Sequence, residues 1–318
     1  MTPQDPRTSV ETNGIILSYV RRGQGPLVLF LHGFPELGRS WRHQLGPVAD
    51  AGYTAVAPDL RGYGESSAPA DAEHYTHLDL IGDLVGLMDA LGHERAVLVG
   101  HDMGAGLAWS MAQAVPHRVR GVMALSVPAK PRGNAAPLSA APPAMYQKWF
   151  QQPDLPERDL DAHVDTFLPG IFDRLSGKPT AGQLDALMVP DGGGFSDLFP
   201  PPESLPEWID EAELSGYVEA FRRSGFAGGI HWYRNIDRNW RLAAPFAPWR
   251  IEVPALYVVG EHDIAYTMNR ATGAIDALSV TVPGLRGMVV LPGCGHWTPQ
   301  ERPAEVTEAL LEFLRDLE

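Results

Sequence analysis

Short apolar, β-branched runs bounded by glycine or proline alternate along this chain with stretches of helical periodicity, and that alternation leaves few folds open. Residues 27–31, 54–57, 96–99 and 121–125 are apolar at consecutive positions, as strands buried on both faces of a parallel sheet must be. Ahead of the 96–99 run, Leu78, Ile81, Leu84, Val85, Met88 and Leu91 recur at helical spacing. A helix after each strand returns the chain for another parallel strand. Two more runs follow far downstream, 255–259 and 288–291. Thr298-Pro299-Gln300-Glu301 then reads as a capping box opening a last helix, whose apolar face is Val306, Leu310, Phe313, Leu314 and Leu317. The expected fold class is α/β: a mostly parallel central sheet flanked by helices.

Between the two groups of runs the pattern changes. Residues 128–206 hold 14 of the 29 prolines and the 192–194 glycine run, which no sheet core tolerates. Residues 130–245 are therefore expected to form an inserted, mainly helical cap between a first core segment, 1–129, and a second, 246–318.

Charge and cysteine content narrow the partners. Lys+Arg 25 against Asp+Glu 39 gives a net charge of −14 over 318 residues, a field that repels phosphate backbones and anionic lipid and argues against nucleic acid. The one cysteine, Cys294, has no partner within the chain, and the first residues lack the basic end and apolar stretch of a secretion signal. No apolar run approaches the roughly 18 residues that span a bilayer. These features predict a cytoplasmic protein outside the membrane; oligomeric state leaves no trace in the pattern.

Gly100-His101-Asp102-Met103-Gly104 follows the 96–99 run directly and precedes a helical stretch. Small residues two before and two after the central one permit a sharp strand-to-helix turn that lifts its side chain above the sheet. Here that residue is an aspartate, which taken alone could be an ordinary helix cap. Gly260-Glu261-His262-Asp263 follows the next-to-last run and Gly293-Cys294-Gly295-His296-Trp297 the last. Asp102, Asp263 and His296 thus come in the chain order of α/β-hydrolases, with the nucleophile changed from serine. His32-Gly33-Phe34-Pro35 follows the first run, where the N–H of Phe34 can form an oxyanion hole with that of Met103.

Together these segments resemble an epoxide hydrolase of the α/β-hydrolase superfamily. The likeness runs from about Glu11 to the C-terminus and includes His32-Gly33-Phe34-Pro35-Glu36, Asp59-Leu60-Arg61-Gly62-Tyr63-Gly64-Glu65-Ser66, the Asp102 turn and Cys294-Gly295-His296-Trp297. Tyr146-Gln147-Lys148-Trp149-Phe150 and His231-Trp232-Tyr233-Arg234-Asn235 resemble the two cap segments that, in this family, each point a tyrosine at the nucleophile. The resemblance implies the α/β-hydrolase fold and hydrolysis of a small hydrophobic epoxide by water to a vicinal diol.

The chemistry suits these residue types. An aspartate with a reference pKa near ~3.9 is ionised at neutral pH and attacks without a base. The epoxide oxygen leaves as an alkoxide and needs a proton; phenols at ~10 keep theirs at neutral pH yet are far more acidic than an alcohol, which suits Tyr146 and Tyr233. The Asp102 ester then needs water, which His296 can activate while Asp263 holds the imidazole. His101 is read as holding the turn. Gln147, Trp149, Phe150 and Trp297 are candidate pocket walls. No metal set or dinucleotide fingerprint stands at useful spacing, so no metal or cofactor is expected.

Two other readings remain. A dehalogenase would use the same Asp102, Asp263 and His296, but a halide wants N–H donors, and Met103 stands where those enzymes carry Trp or Arg. A silent small-ligand binder would not need an ionised carboxylate, a base and an oxyanion hole to converge.

Overall fold

The computed structural model describes residues 7–177, 187–247 and 250–318. Its strands are β1 (Arg7–Thr12), β2 (Ile15–Arg22), β3 (Leu27–Leu31), β4 (Thr54–Pro58), β5 (Ala96–His101), β6 (Val119–Leu125), β7 (Ala255–Gly260) and β8 (Leu285–Leu291). They form one sheet in the order β1-β2-β4-β3-β5-β6-β7-β8. β2 pairs antiparallel with β1 and with β4, and all later neighbours run parallel.

All six apolar runs are strands of this sheet. β1 and β2, by contrast, escaped the sequence reading. They form a hairpin about Asn13 and Gly14, both at positive φ (48° and 75°). An Asn-Gly pair between two strands is a strong hairpin signal, since only such residues adopt the two left-handed positions at little cost.

Alternation along β3 shows how the sheet is held. Leu27, Leu29 and Leu31 enter one apolar cluster, Val28 and Phe30 another, because successive side chains point to opposite faces. The second cluster is closed by α1 (Arg42–Asp50) and α13 (Pro303–Arg315), which bring Leu45, Val48, Val306, Leu310 and Phe313. The first is closed by α2 (His77–Ala90) and α3 (Met103–Ala114) with Leu84, Leu87, Leu107 and Met111. Each such side chain contributes about 1.5–3 kcal/mol by leaving water. α2 begins with Thr76 and Asp79 as a reciprocal capping box.

One local expectation fails at the C-terminal end. Thr298 does not cap a helix; Thr298–Glu301 is a single turn (α12), separated from α13 by a non-helical Arg302. The Glu301 carboxylate instead accepts backbone N–H groups of Gly177, Gly295 and Trp297.

Between β6 and β7 lie α4 (Tyr146–Trp149), α5 (Leu155–Ala162), α6 (Val164–Arg174), α7 (Glu211–Ser224), α8 (Ala227–Arg234) and α9 (Ile236–Leu242), and between β7 and β8 lie α10 (Ile264–Ala271) and α11 (Leu278–Thr281). The apolar faces of the helices between β6 and β7, with Phe150, Phe167, Phe172, Tyr217 and Trp232, continue the first cluster. α8 is seated on the loop after β4. The Trp232 Nε1–H donates to the Arg61 carbonyl at 3.1 Å and the Asn235 amide to that of Ala72 at 2.5 Å. The loop is itself braced by a buried pair, Arg61 to Asp83 at 2.6 Å. The end of α6 rests on the loop before α12, where the His296 N–H donates to Leu175 at 2.8 Å. Among the described residues no helix is long and apolar enough to cross a membrane.

Candidate active site

Asp102 stands at the turn from β5 into α3 with φ +50° and ψ −118°. A side chain rarely adopts such a backbone, and the surroundings enforce it. A Cβ at Gly100 would lie 2.4 Å from the Gly104 carbonyl oxygen, and one at Gly104 would lie 2.1 Å from that of Leu31. Only glycine at both positions lets the helix start close enough against the strands to raise Asp102 off the sheet.

The carboxylate is held from below. The Phe34 N–H donates to Asp102 Oδ1 at 3.0 Å. Met103 opens α3, so its amide belongs to the free first turn of that helix. The loop carrying Phe34 is fixed by His32, whose Nδ1–H donates to the Gly33 carbonyl while Nε2 accepts the Leu60 N–H. Burial keeps His32 neutral by lowering its pKa.

His296 lies between two carboxylates. Its Nδ1 is 3.1 Å from Asp263 Oδ1 and its Nε2 is 3.9 Å from Asp102 Oδ2. Burial opposes charge on the ring, but Asp263, then Asp102 and Glu36, outweigh it and raise its pKa to about 9. Asp263 is fully buried, yet His296 beside it outweighs the desolvation and holds its pKa below the ordinary value. Ser126 joins this group, with Oγ 3.2 Å from His296 Nδ1.

Both expected tyrosines reach the site. Tyr146 leads α4 and Tyr233 ends the buried face of α8; their rings meet edge to face at 5.5 Å. Burial raises both pKa values, and the charge of Asp102 adds to the effect, so both phenols stay protonated. The Gln147 amide reaches the Tyr146 hydroxyl at 3.4 Å. Phe150 packs edge-on against Phe34, Tyr146 and Tyr233. Trp149 touches this cluster through Phe150. Trp297 lies edge-on to His296 and donates its indole N–H to the Phe172 carbonyl, so it braces the histidine.

Sequence reading missed part of the site. Phe195 stacks on Tyr146 at 5.3 Å, and Phe226 meets Phe34 at 6.2 Å; no motif marks either. Beneath the turn, Glu36 accepts the Gly33 N–H at 3.0 Å, the His101 Nδ1–H at 2.6 Å and the Gln300 amide at 3.1 Å. His101 donates its other N–H to the His296 carbonyl at 2.8 Å. The ring therefore ties the turn to the histidine loop, in keeping with its expected holding role.

Comparison with known proteins points to one family. Residues 26–178 match the alpha/beta hydrolase fold family. Epoxide hydrolase A of Mycobacterium tuberculosis is 43% identical, covering 97% of each chain. An epoxide hydrolase of Caballeronia sordidicola is 39% identical, covering 97% of this chain and 93% of its own. Among solved structures, epoxide hydrolase A from Mycobacterium thermoresistibile superposes with a TM-score of 0.91 at 42% identity, covering 98% of this chain and 99% of that one. An epoxide hydrolase from an endophytic Streptomyces gives 0.93 at 38% identity, covering 99% and 96%. With a triad-like Asp102, His296 and Asp263 beneath two phenols and near full-length likeness of this degree, the chain belongs to the epoxide hydrolases of the α/β-hydrolase fold.

Proposed function

We propose that this protein opens a small hydrophobic epoxide to a vicinal diol in two steps, through an ester on Asp102. The observation that carries the reading is a pair of buried phenols, packed ring against ring, within electrostatic reach of the carboxylate that accepts the Phe34 N–H. In the first step Asp102 Oδ2 bonds to an epoxide carbon, the carbon–oxygen bond of the ring breaks, and Tyr146 or Tyr233 gives the departing oxygen its proton. Buried phenols suit this task, since they hold their protons at neutral pH and lose them readily to an alkoxide.

In the second step water attacks the Asp102 carboxyl carbon. His296 takes a proton from that water, and Asp263 steadies the cation. The charge that develops on Oδ1 meets the N–H of Phe34 and the free amide of Met103, a kind of contact worth about 3–4 kcal/mol per donor. The bond from that carbon to Oδ2 then breaks, the departing oxygen takes the proton held by His296 to complete the diol, and the second proton of the water, released as the carboxylate re-forms, returns to the phenolate. Alkylation neutralises Asp102, which removes one of the charges that raise the His296 pKa and so frees the ring to act as a base.

Residues 130–245 serve as the cap that brings both phenols to the core formed by 1–129 and 246–318; 178–186 of that span lie outside the described residues. Phe34, Phe150 and Gln147 line the substrate, with Trp149 and Trp297 behind them. The buried, disulfide-free Cys294 supports a cytoplasmic setting.

A panel of epoxides and haloalkanes offered to the purified protein tests the reading, with diol and halide measured in parallel. Diol from epoxides without halide release is expected. Halide release without diol would move the assignment to a dehalogenase, and neither product to a binding protein.

A further inference from the structure

Each amide from Gly295 to Trp297 is held, and all but the middle one by the same side chain. Glu301 Oε2 accepts the Gly295 N–H at 3.0 Å, and Oε1 accepts that of Trp297 at 3.0 Å. The His296 N–H between them points the other way, to the Leu175 carbonyl at 2.8 Å. Oε2 also accepts the Gly177 N–H at 2.8 Å. Leu175 and Gly177 lie just past α6, so one carboxylate joins the end of a cap helix to the loop that aims the imidazole. The contact is close: a Cβ at Gly177 would lie 2.1 Å from the Gly293 carbonyl oxygen.

A carboxylate suits this place, because each of its oxygens accepts bonds and neither donates. An amide of the same shape offers one acceptor and turns its NH2 group toward N–H donors. Glu301 contacts neither Phe34 nor either phenol through the bonds above. Its reach is to the histidine loop.

We propose that Glu301 is a positioning residue for ester hydrolysis, coupling the seat of α6 to the placement of His296, while ester formation proceeds without it. The inference rests on the two-step reading above. A small displacement of a catalytic base costs on the order of 100-fold, whereas Asp102, its Phe34 contact and the phenols stay in place.

The test is rapid-quench mass spectrometry of the intact protein mixed with styrene oxide, which times the appearance and decay of the covalent adduct. In Glu301→Gln the adduct should form within about threefold of the wild-type rate, decay about 10- to 100-fold more slowly and accumulate. Glu301→Asp, with its charge kept on a shorter arm, should fall between the two and serves if the amide variant does not fold. Formation and decay slowed in parallel would mark a merely structural residue and overturn the proposal, as would decay at the wild-type rate. His296→Gln provides the reference: adduct there but none accumulating in Glu301→Gln refutes the role of Glu301 alone. Adduct in no variant at all refutes the two-step reading and this inference with it.

Discussion

His101 and Glu36 form a fully buried ion pair, 2.6 Å long, directly beneath the residue that carries the proposed nucleophile. Burial raises the carboxyl pKa, but the His101 charge and hydrogen bond, with the Gly33 N–H, overcome it and bring Glu36 to about 2 from an ordinary 4.5. The folded carboxyl binds its proton less readily than the unfolded one. Its stabilisation is therefore complete above about 4.5 and is lost as pH falls toward 2, an effect of about 3 kcal/mol. Chemical denaturation from pH 6 to 2.5 should show that decline, and Glu36→Gln should flatten it while lowering stability at pH 6.

Asp102→Ala should abolish diol formation, by ~10⁴-fold or more, because no other group can form the bond to carbon. Chromatographic assay of the diol from styrene oxide measures it. Undiminished turnover would remove Asp102 from its role.

Tyr146→Phe or Tyr233→Phe alone should slow epoxide opening, and the double variant by about 10²- to 10⁴-fold, the usual worth of a general acid. Each hydroxyl shares its environment with the other, so the effects should not add. Full activity in the double variant would place proton delivery elsewhere.

His296→Gln should form the ester and then stall. In the wild type, hydrolysis of the ester should rise with pH and level off, since it needs the neutral ring. Because alkylation removes the Asp102 charge, one of those that push the ring up to about 9, the midpoint should lie below the pKa of the ring in the free enzyme. Single-turnover decay of the adduct across pH 5.5 to 10 measures it. A midpoint no lower than the pKa of the same ring titrated in the free enzyme would mean that Asp102 does not influence the ring.

Gly228→Ala should dislodge α8. The new Cβ would lie 2.1 Å from the Gly62 carbonyl oxygen, and backbone cannot yield there as a flexible side chain would. A loss of about 1–3 kcal/mol is expected on thermal unfolding, with a fall in activity as Tyr233 moves. Unchanged stability and activity would show that the loop after β4 does not set the helix.

What the sequence revealed and hid follows from how far apart the interacting parts lie. The Asp102 turn was legible because its glycines stand at fixed local spacing about the central residue, although it is the distant Leu31 carbonyl that crowds Gly104; β3 to β7 were legible because burial leaves continuous apolar runs, and β8 through its apolar 288–291 run even though that edge strand is only partly buried. The hairpin of β1 and β2 was also legible, through Asn13 and Gly14, but its strands carry polar residues such as Ser9 and Ser18, so a search for unbroken apolar runs passes over it. Glu36, His101 and Gln300 meet across 65 and 264 positions, and no local pattern announces such a cluster. Thr298 and Glu301 misled because a capping sequence is only a local preference. Three amides, those of Gly295 and Trp297 just before the turn and of Gly177 past α6, hold the Glu301 carboxylate instead.

The hydrogen bond from the Phe34 N–H distinguishes the two oxygens of Asp102. On the proposed route Oδ1 stays in its hole as the ester carbonyl, and Oδ2 departs with the product. Each cycle thus gives away one atom of the side chain and rebuilds it from solvent. Begun in ¹⁸O water, the first diol should carry only ordinary oxygen from the protein, and heavy atoms should enter the product from the second turnover onward. The nucleophile is in this sense a consumable that the enzyme restocks.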